Sequence, residues 1–83
     1  MESFIHHVEK WFLRNRPTSE YEFQSALDTQ ISHQTWIDSL LTVSLISEVE
    51  FHLQINISDE LIYMMRNLSL REFLTRAELE APE

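Results

Sequence analysis

The chain has 83 residues, of which 43% are hydrophobic, so it has material for one small domain with one modest core. It has no cysteine, which excludes disulfides, thiolate zinc sites and a thiol nucleophile. Its net charge of −8 disfavours binding to nucleic acids and to anionic membranes, and it favours a partner with a basic surface.

The first part of the chain is expected to contain two helices. Residues 2–14 form the first, because their apolar side chains recur at the spacing of one helical face: Phe4, Ile5, Val8, Trp11 and Phe12. Pro17 ends this helix. Ser19 and Glu22 have the spacing of a capping box and predict a short second helix over residues 20–27. The polar residues 28–35 are expected to complete a long first loop.

The strongest helical pattern runs from Ser39 to Leu53. Its predicted inward stripe has apolar residues three or four positions apart: Leu40, Val43, Ile46 (or Leu45), Val49 and Leu53. At about 1.5 Å per residue this helix is about 22 Å long, a full edge of a small bundle. Asp38 and Ser39 stand at its start, where side-chain oxygens accept hydrogen bonds from exposed backbone amides.

A short helix is predicted after this long one. Residues 55–57 form an extended link with both isoleucines docked inward. The short helix then runs from Ser58 or Asp59 to Met65. Its expected inward residues are Leu61, Ile62 and Met65.

The last helix begins at Ser69, which has the spacing of a second capping box with Glu72. Its expected inward residues are Leu70, Phe73, Leu74 and Ala77. Residues 79–83 are expected to be a frayed tail. The predicted fold is therefore all-α: a small bundle of three principal helices plus a short helix before the last, with a long first loop, in a single domain over residues 1–83.

Several kinds of site and location are not expected. The first residues lack the basic stretch and long apolar run of a signal peptide, and no apolar segment approaches the roughly 18 residues that span a bilayer. The histidines contain no pair four residues apart on one helix, so we expect them at the solvated surface and expect no metal site: His6, His7, His33 and His52. We expect a monomeric cytoplasmic protein that binds neither nucleic acid nor membrane.

The segment Asp38-Ser39-Leu40 is where chemistry is expected. A serine at a helix N-terminus lies at the tip of a rigid rod, beside unpaired amides and the positive end of the helix dipole, so a phosphate ester on its hydroxyl is favourably placed. Asp38 is positioned to hold Mg²⁺ while a phosphoryl group is transferred from a donor such as coenzyme A. Taken alone, the same tripeptide is also an ordinary helix cap.

The wider segment resembles the acyl carrier protein family. That family has Asp-Ser-Leu at the start of its second main helix, followed by a Glu-rich helix end, an Ile-x-Ile type of link and a short helix led by acidic residues. Here the run from Asp38 to Glu60 reads DSLLTVSLISEVEFHLQINISDE. The stretch Asn67-Leu68-Ser69-Leu70 resembles the family's approach to its last helix. The register holds from residue 37 to about residue 74.

The resemblance implies a carrier and not an enzyme. Ser39 would hold 4′-phosphopantetheine through a phosphodiester, and Asp38 would help a phosphopantetheinyl transferase to bind its metal. Leu40, Val43 and Glu48 would form the docking face for that transferase and for acyl-transferring or acyl-processing enzymes. Six apolar residues would border an acyl pocket or, as an equal alternative, simply form the core: Val43, Ile46, Val49, Leu53, Ile57 and Leu61.

Some residues depart from the most common family pattern. Trp36-Ile37 stands where many members have glycine, which resembles the D-alanyl carriers and several carriers of specialised metabolism. Leu41, Ser44 and Ser47 occupy expected exposed positions on a helix where fatty-acid-synthesis carriers have more carboxylates, which predicts a less electrostatic docking face. We therefore expect a role in polyketide or other specialised metabolism. An aminoacyl or peptidyl carrier of the same fold and an unmodified acidic helical adaptor are the alternatives.

The chain contains no glycine, the residue that most often ends a helix in the left-handed conformation. We expect Asn15 and Asn67, which stand near predicted helix ends, to take that role. The carrier family often has glycine where Gln54 stands, which predicts a strained or differently shaped turn at this position.

Overall fold

The computed structural model describes residues 3–15, 20–34 and 37–81, and it confirms the predicted all-α class. Within these ranges the helices are α1 (Phe4–Asn15), α2 (Glu20–Leu27), α3 (Ser39–Leu53), α4 (Asp59–Met64) and α5 (Leu70–Glu80). Two 3₁₀ turns, Ile31–His33 and Met65–Asn67, lie in the long loop and directly after α4. Searched over the same residues, the chain has no helix that is both long enough and apolar enough to span a bilayer.

The core forms where the apolar faces of α1, α2 and α5 meet those of α3 and α4. Three phenylalanines are its largest side chains with no exposure: Phe12, Phe23 and Phe73. All four residues predicted to face inward from α5 are buried, as are four of the five predicted for α1, while Ile5 is partly buried. The predicted capping box of α5 is present, since Ser69 Oγ accepts from the Glu72 amide and the Glu72 carboxylate accepts from the Ser69 amide.

The inward face of α3 differs from the predicted stripe. The buried residues are Leu41, Leu45 and Val49, whereas Leu40 is 78% exposed and Val43 is 61% exposed. Leu41, which we expected at the surface, is buried. Apolar residues surround almost the whole circumference of α3, so the spacing alone does not select one face. The elements packed against the helix decide which face is buried.

The link and α4 follow their prediction in part. Ile57 is buried and Ile55 is partly buried, as expected of an extended link docked against the core. Leu61 and Met65 are also buried. Ile62, the third residue predicted to face inward, is 37% exposed because it lies at the edge of a groove described below.

Gln54 is the residue that ends a helix in the left-handed conformation. Its φ of 56° and ψ of 49° make it the single residue with positive φ in the described parts of the chain. The prediction that Asn15 and Asn67 take this role is wrong: Asn15 instead donates its side-chain amide to the Trp11 carbonyl at 2.9 Å. A non-glycine residue in this conformation costs roughly 1 kcal/mol or more, so the expected strain lies at Gln54.

The C-terminal end is more ordered than the predicted tail. Helix α5 continues through Glu80, whose carboxylate accepts from the Ser58 amide at 3.0 Å and from the Ser58 hydroxyl at 2.9 Å. Ser58 in turn caps α4 by accepting from the Leu61 amide. The end of α5 is thereby tied to the start of α4. Residues 82–83 lie outside the described residues, as do Pro17 and the Ser19 half of the first predicted capping box.

Candidate functional site

At the start of α3, the structure shows which of two neighbouring residues, Asp38 or Ser39, caps the helix. Asp38 is the N-cap, with extended backbone angles and a carboxylate oxygen that accepts from the Leu41 amide at 2.8 Å. The Asp38 carbonyl accepts from both the amide and the hydroxyl of Thr42 at 2.9 Å. Capping of the first turn therefore comes from Asp38 and not from Ser39.

Ser39 is the first helical residue and is exposed. Its hydroxyl makes no hydrogen bond within the described residues. Because the cap is supplied by its neighbour, this hydroxyl is available for reaction at the tip of a helix of 15 residues. Its position also places any phosphate ester beside the positive end of the α3 dipole.

A groove of about 430 Å³ opens beside Ser39. Its apolar lining comes from the long loop, α3 and α4: Ile31, Ile37, Val43, Ile46 and Ile62. Its polar lining consists of Ser32, Asp38, Ser39, Thr42 and Arg66. The groove is held in shape because the two 3₁₀ turns are joined, with the Ile31 amide donating to the Leu68 carbonyl at 2.9 Å.

The residues predicted to border an acyl pocket divide into two groups. Val43 and Ile46 line the groove beside Ser39. The others do not line it and instead belong to the core or pack against it: Val49, Leu53, Ile57 and Leu61. For these four, the alternative interpretation as core residues describes the structure.

The predicted docking residues differ in how accessible they are. Leu40 and Val43 are exposed on the face of α3 next to Ser39. Glu48 is about 21% exposed, and one of its carboxylate oxygens lies 3.1 Å from Nε2 of His7. The second carboxylate of α3, on Glu50, accepts from the Ile57 amide at 2.8 Å. Both carboxylates of α3 are therefore engaged within the protein, and the exposed α3 side chains nearest to Ser39 are apolar or hydroxyl-bearing.

A stack of rings joins α1 to α3 and was not predicted. The ring centroids of His7 and His52 lie 3.9 Å apart with 23° between their planes, and Phe4 also stacks on His52, with ring centroids 5.4 Å apart. His52 is exposed as expected, whereas His7 is about 25% exposed and part of this stack. The contact between His7 and His52 joins residues 45 positions apart in the sequence, so no local sequence pattern predicts it. No group of three or more possible metal ligands is placed together in the residues that the structure describes.

Among the described residues, the groove lining contains no histidine or lysine that would activate Ser39 as a hydrolytic nucleophile. The described part of the lining offers an exposed hydroxyl, a carboxylate next to it, aliphatic walls and the guanidinium of Arg66. No family model, no curated protein and no solved structure matches the chain.

Proposed function

We propose that this protein is an acyl carrier protein and that Ser39 is the attachment point for 4′-phosphopantetheine. The observation that carries the proposal is the exposed Ser39 hydroxyl, which the helix does not need for capping because Asp38 performs that task. An adaptor that only binds other proteins has no use for an exposed serine hydroxyl presented in this way. The groove that begins at the same residue supports attachment of a group at Ser39.

The residues at the start of α3 fit the attachment of this arm. The Ser39 oxygen would replace adenosine 3′,5′-bisphosphate on coenzyme A, and the hydroxyl proton would be lost to the transferase. Asp38 would contribute a carboxylate to the transferase's Mg²⁺. The nearby helix terminus favours the new phosphodiester by about 0.3–1 kcal/mol. Once attached, the arm supplies the thiol that this cysteine-free chain lacks, on which acyl groups are held as thioesters.

The surface around Ser39 favours partners that recognise apolar side chains. Leu40 and Val43 are exposed there, while Glu48 is engaged by His7. This surface supports the proposal that the carrier serves polyketide or other specialised metabolism, with acyl-processing enzymes and a phosphopantetheinyl transferase as its partners. We propose further that it acts as a monomer in the cytoplasm.

The proposal is tested by intact-protein mass spectrometry after incubation with coenzyme A, Mg²⁺ and a broad-specificity phosphopantetheinyl transferase. The wild type is expected to gain the mass of one phosphopantetheine, and Ser39→Ala is expected to gain none. Ser44→Ala is the matched control, because Ser44 is another exposed serine on the same helix, and it should be loaded as the wild type is.

Folding must be checked for each variant by circular dichroism and urea unfolding. The free energy of unfolding of Ser39→Ala is expected to lie within about 0.5 kcal/mol of the wild-type value, as is usual for surface substitutions. Asp38→Ala is expected to lower the free energy of unfolding by about 1 kcal/mol, because it removes the cap of α3. A folded wild type that gains no mass with any of several transferases would contradict the carrier function.

A further inference from the structure

Arg66 brings a positive charge to the groove beside Ser39. It lies in the 3₁₀ turn after α4, and this turn is anchored on both sides by buried side chains, with Met65 1% exposed and Leu68 7% exposed. The joined 3₁₀ turns fix this backbone against the long loop. The base of the Arg66 side chain therefore has a defined position on the groove wall.

The guanidinium of Arg66 has no hydrogen bond or ion pair within the described residues. This is notable in a chain with 14 acidic and 6 basic residues, where carboxylates are abundant and Arg71, for example, pairs with Asp28 at 3.1 Å. The groove also contains a carboxylate, on Asp38, but this group already accepts from the Leu41 amide. In the described part of the chain, the groove therefore combines aliphatic walls with a guanidinium that is not paired with a carboxylate.

We propose that Arg66 binds an anionic group on the arm attached at Ser39. The proposal rests on the proposed function and adds to it the chemical class of ligand that the groove accepts. The anion is a carboxylate at the end of a short acyl cargo or the phosphate of the arm itself. Guanidinium binds both groups through paired N–H donors, and Val43, Ile46 and Ile62 provide apolar contact for the methylenes of a cargo.

The test compares two cargoes of equal carbon number. The wild type is loaded by a transferase from succinyl-coenzyme A, butyryl-coenzyme A or coenzyme A alone, and mass spectrometry verifies each product. Succinyl and butyryl differ in that one ends in a carboxylate and the other in a methyl group. Amide chemical shifts of Ile37, Thr42 and Ile46 report on the groove, and the ³¹P shift reports on the arm's phosphodiester.

Arg66→Gln is the test variant, and Arg76→Gln is its control. Arg76 is exposed on α5 and lines a different depression, so its substitution makes the same change in net charge away from Ser39. If the anion is the cargo carboxylate, succinyl shifts the groove amides more than butyryl does in the wild type and in Arg76→Gln. This difference is lost in Arg66→Gln.

If the anion is the phosphate, the two cargoes give the same amide shifts, and Arg66→Gln alone changes the ³¹P shift. Either pattern supports the proposal and identifies the source of the anion. If loading succeeds but Arg66→Gln changes neither the succinyl–butyryl difference in amide shifts nor the ³¹P shift, the role of Arg66 is overturned and the carrier function stands. A folded wild type that is never loaded overturns both.

Discussion

At the scale of single residues, the site depends on a division of tasks between neighbours. Asp38 satisfies the first turn of α3, and this leaves Ser39 with an exposed hydroxyl. The sequence placed both residues at the helix start, but side-chain oxygens of either type satisfy a cap, so the pattern left their roles open. Only the hydrogen bond from the Leu41 amide to Asp38 shows which of the two residues caps the helix and which keeps an exposed hydroxyl.

Gln54 is the second residue whose role depends on its backbone conformation. Its positive φ is unfavourable for a residue with a Cβ atom. Gln54→Gly is expected to raise the free energy of unfolding by up to about 1 kcal/mol, because glycine adopts this conformation without the steric cost. Urea unfolding measures the change.

Gln54→Ala is the control for this prediction. Alanine shortens the side chain but keeps the Cβ atom, so it is expected to bring no comparable gain. Equal stability of the glycine and alanine variants would show that the left-handed conformation carries no strain at this position.

At the scale of elements, the helices differ in how well their sequence predicts their buried face. In α1 and α5, polar residues fill the side away from the core, so apolar spacing selects the correct face. In α3 the apolar residues extend around the helix, and the predicted stripe included Leu40 and Val43, which are exposed. The groove could not be predicted from the sequence either, because its lining combines side chains from distant segments, such as Ile31 and Arg66.

The two adjacent leucines of α3 test this assignment of faces. Leu41→Ala is expected to lower the free energy of unfolding by about 2–4 kcal/mol, since a buried leucine is removed from the core. Leu40→Ala is expected to change it by less than about 0.5 kcal/mol, because this side chain is exposed. Urea unfolding of both variants measures the difference, and equal costs would show that the face of α3 is assigned wrongly.

At the scale of the whole molecule, the net negative charge is separate from the exposed apolar surface beside Ser39. The net charge of −8 creates a long-range field that attracts a basic partner. On α3, however, the carboxylates of Glu48 and Glu50 are engaged by His7 and by the Ile57 amide. Under the proposed function, the field would bring a basic partner towards the molecule, while the exposed Leu40 and Val43 would supply apolar contact next to Ser39.

This separation predicts how loading by the transferase responds to salt. The kcat/KM for loading is expected to fall as ionic strength rises, because salt screens the long-range attraction. Leu40→Ala is expected to lower kcat/KM by the same factor at every salt concentration, about tenfold for a contact worth about 1.4 kcal/mol. The measurement is the loading rate of the wild type and Leu40→Ala between low and high salt, with Leu79→Ala as control, since Leu79 is equally exposed but lies on α5. If the effect of Leu40→Ala disappeared at high salt, or if Leu79→Ala matched it, apolar docking beside Ser39 would be refuted.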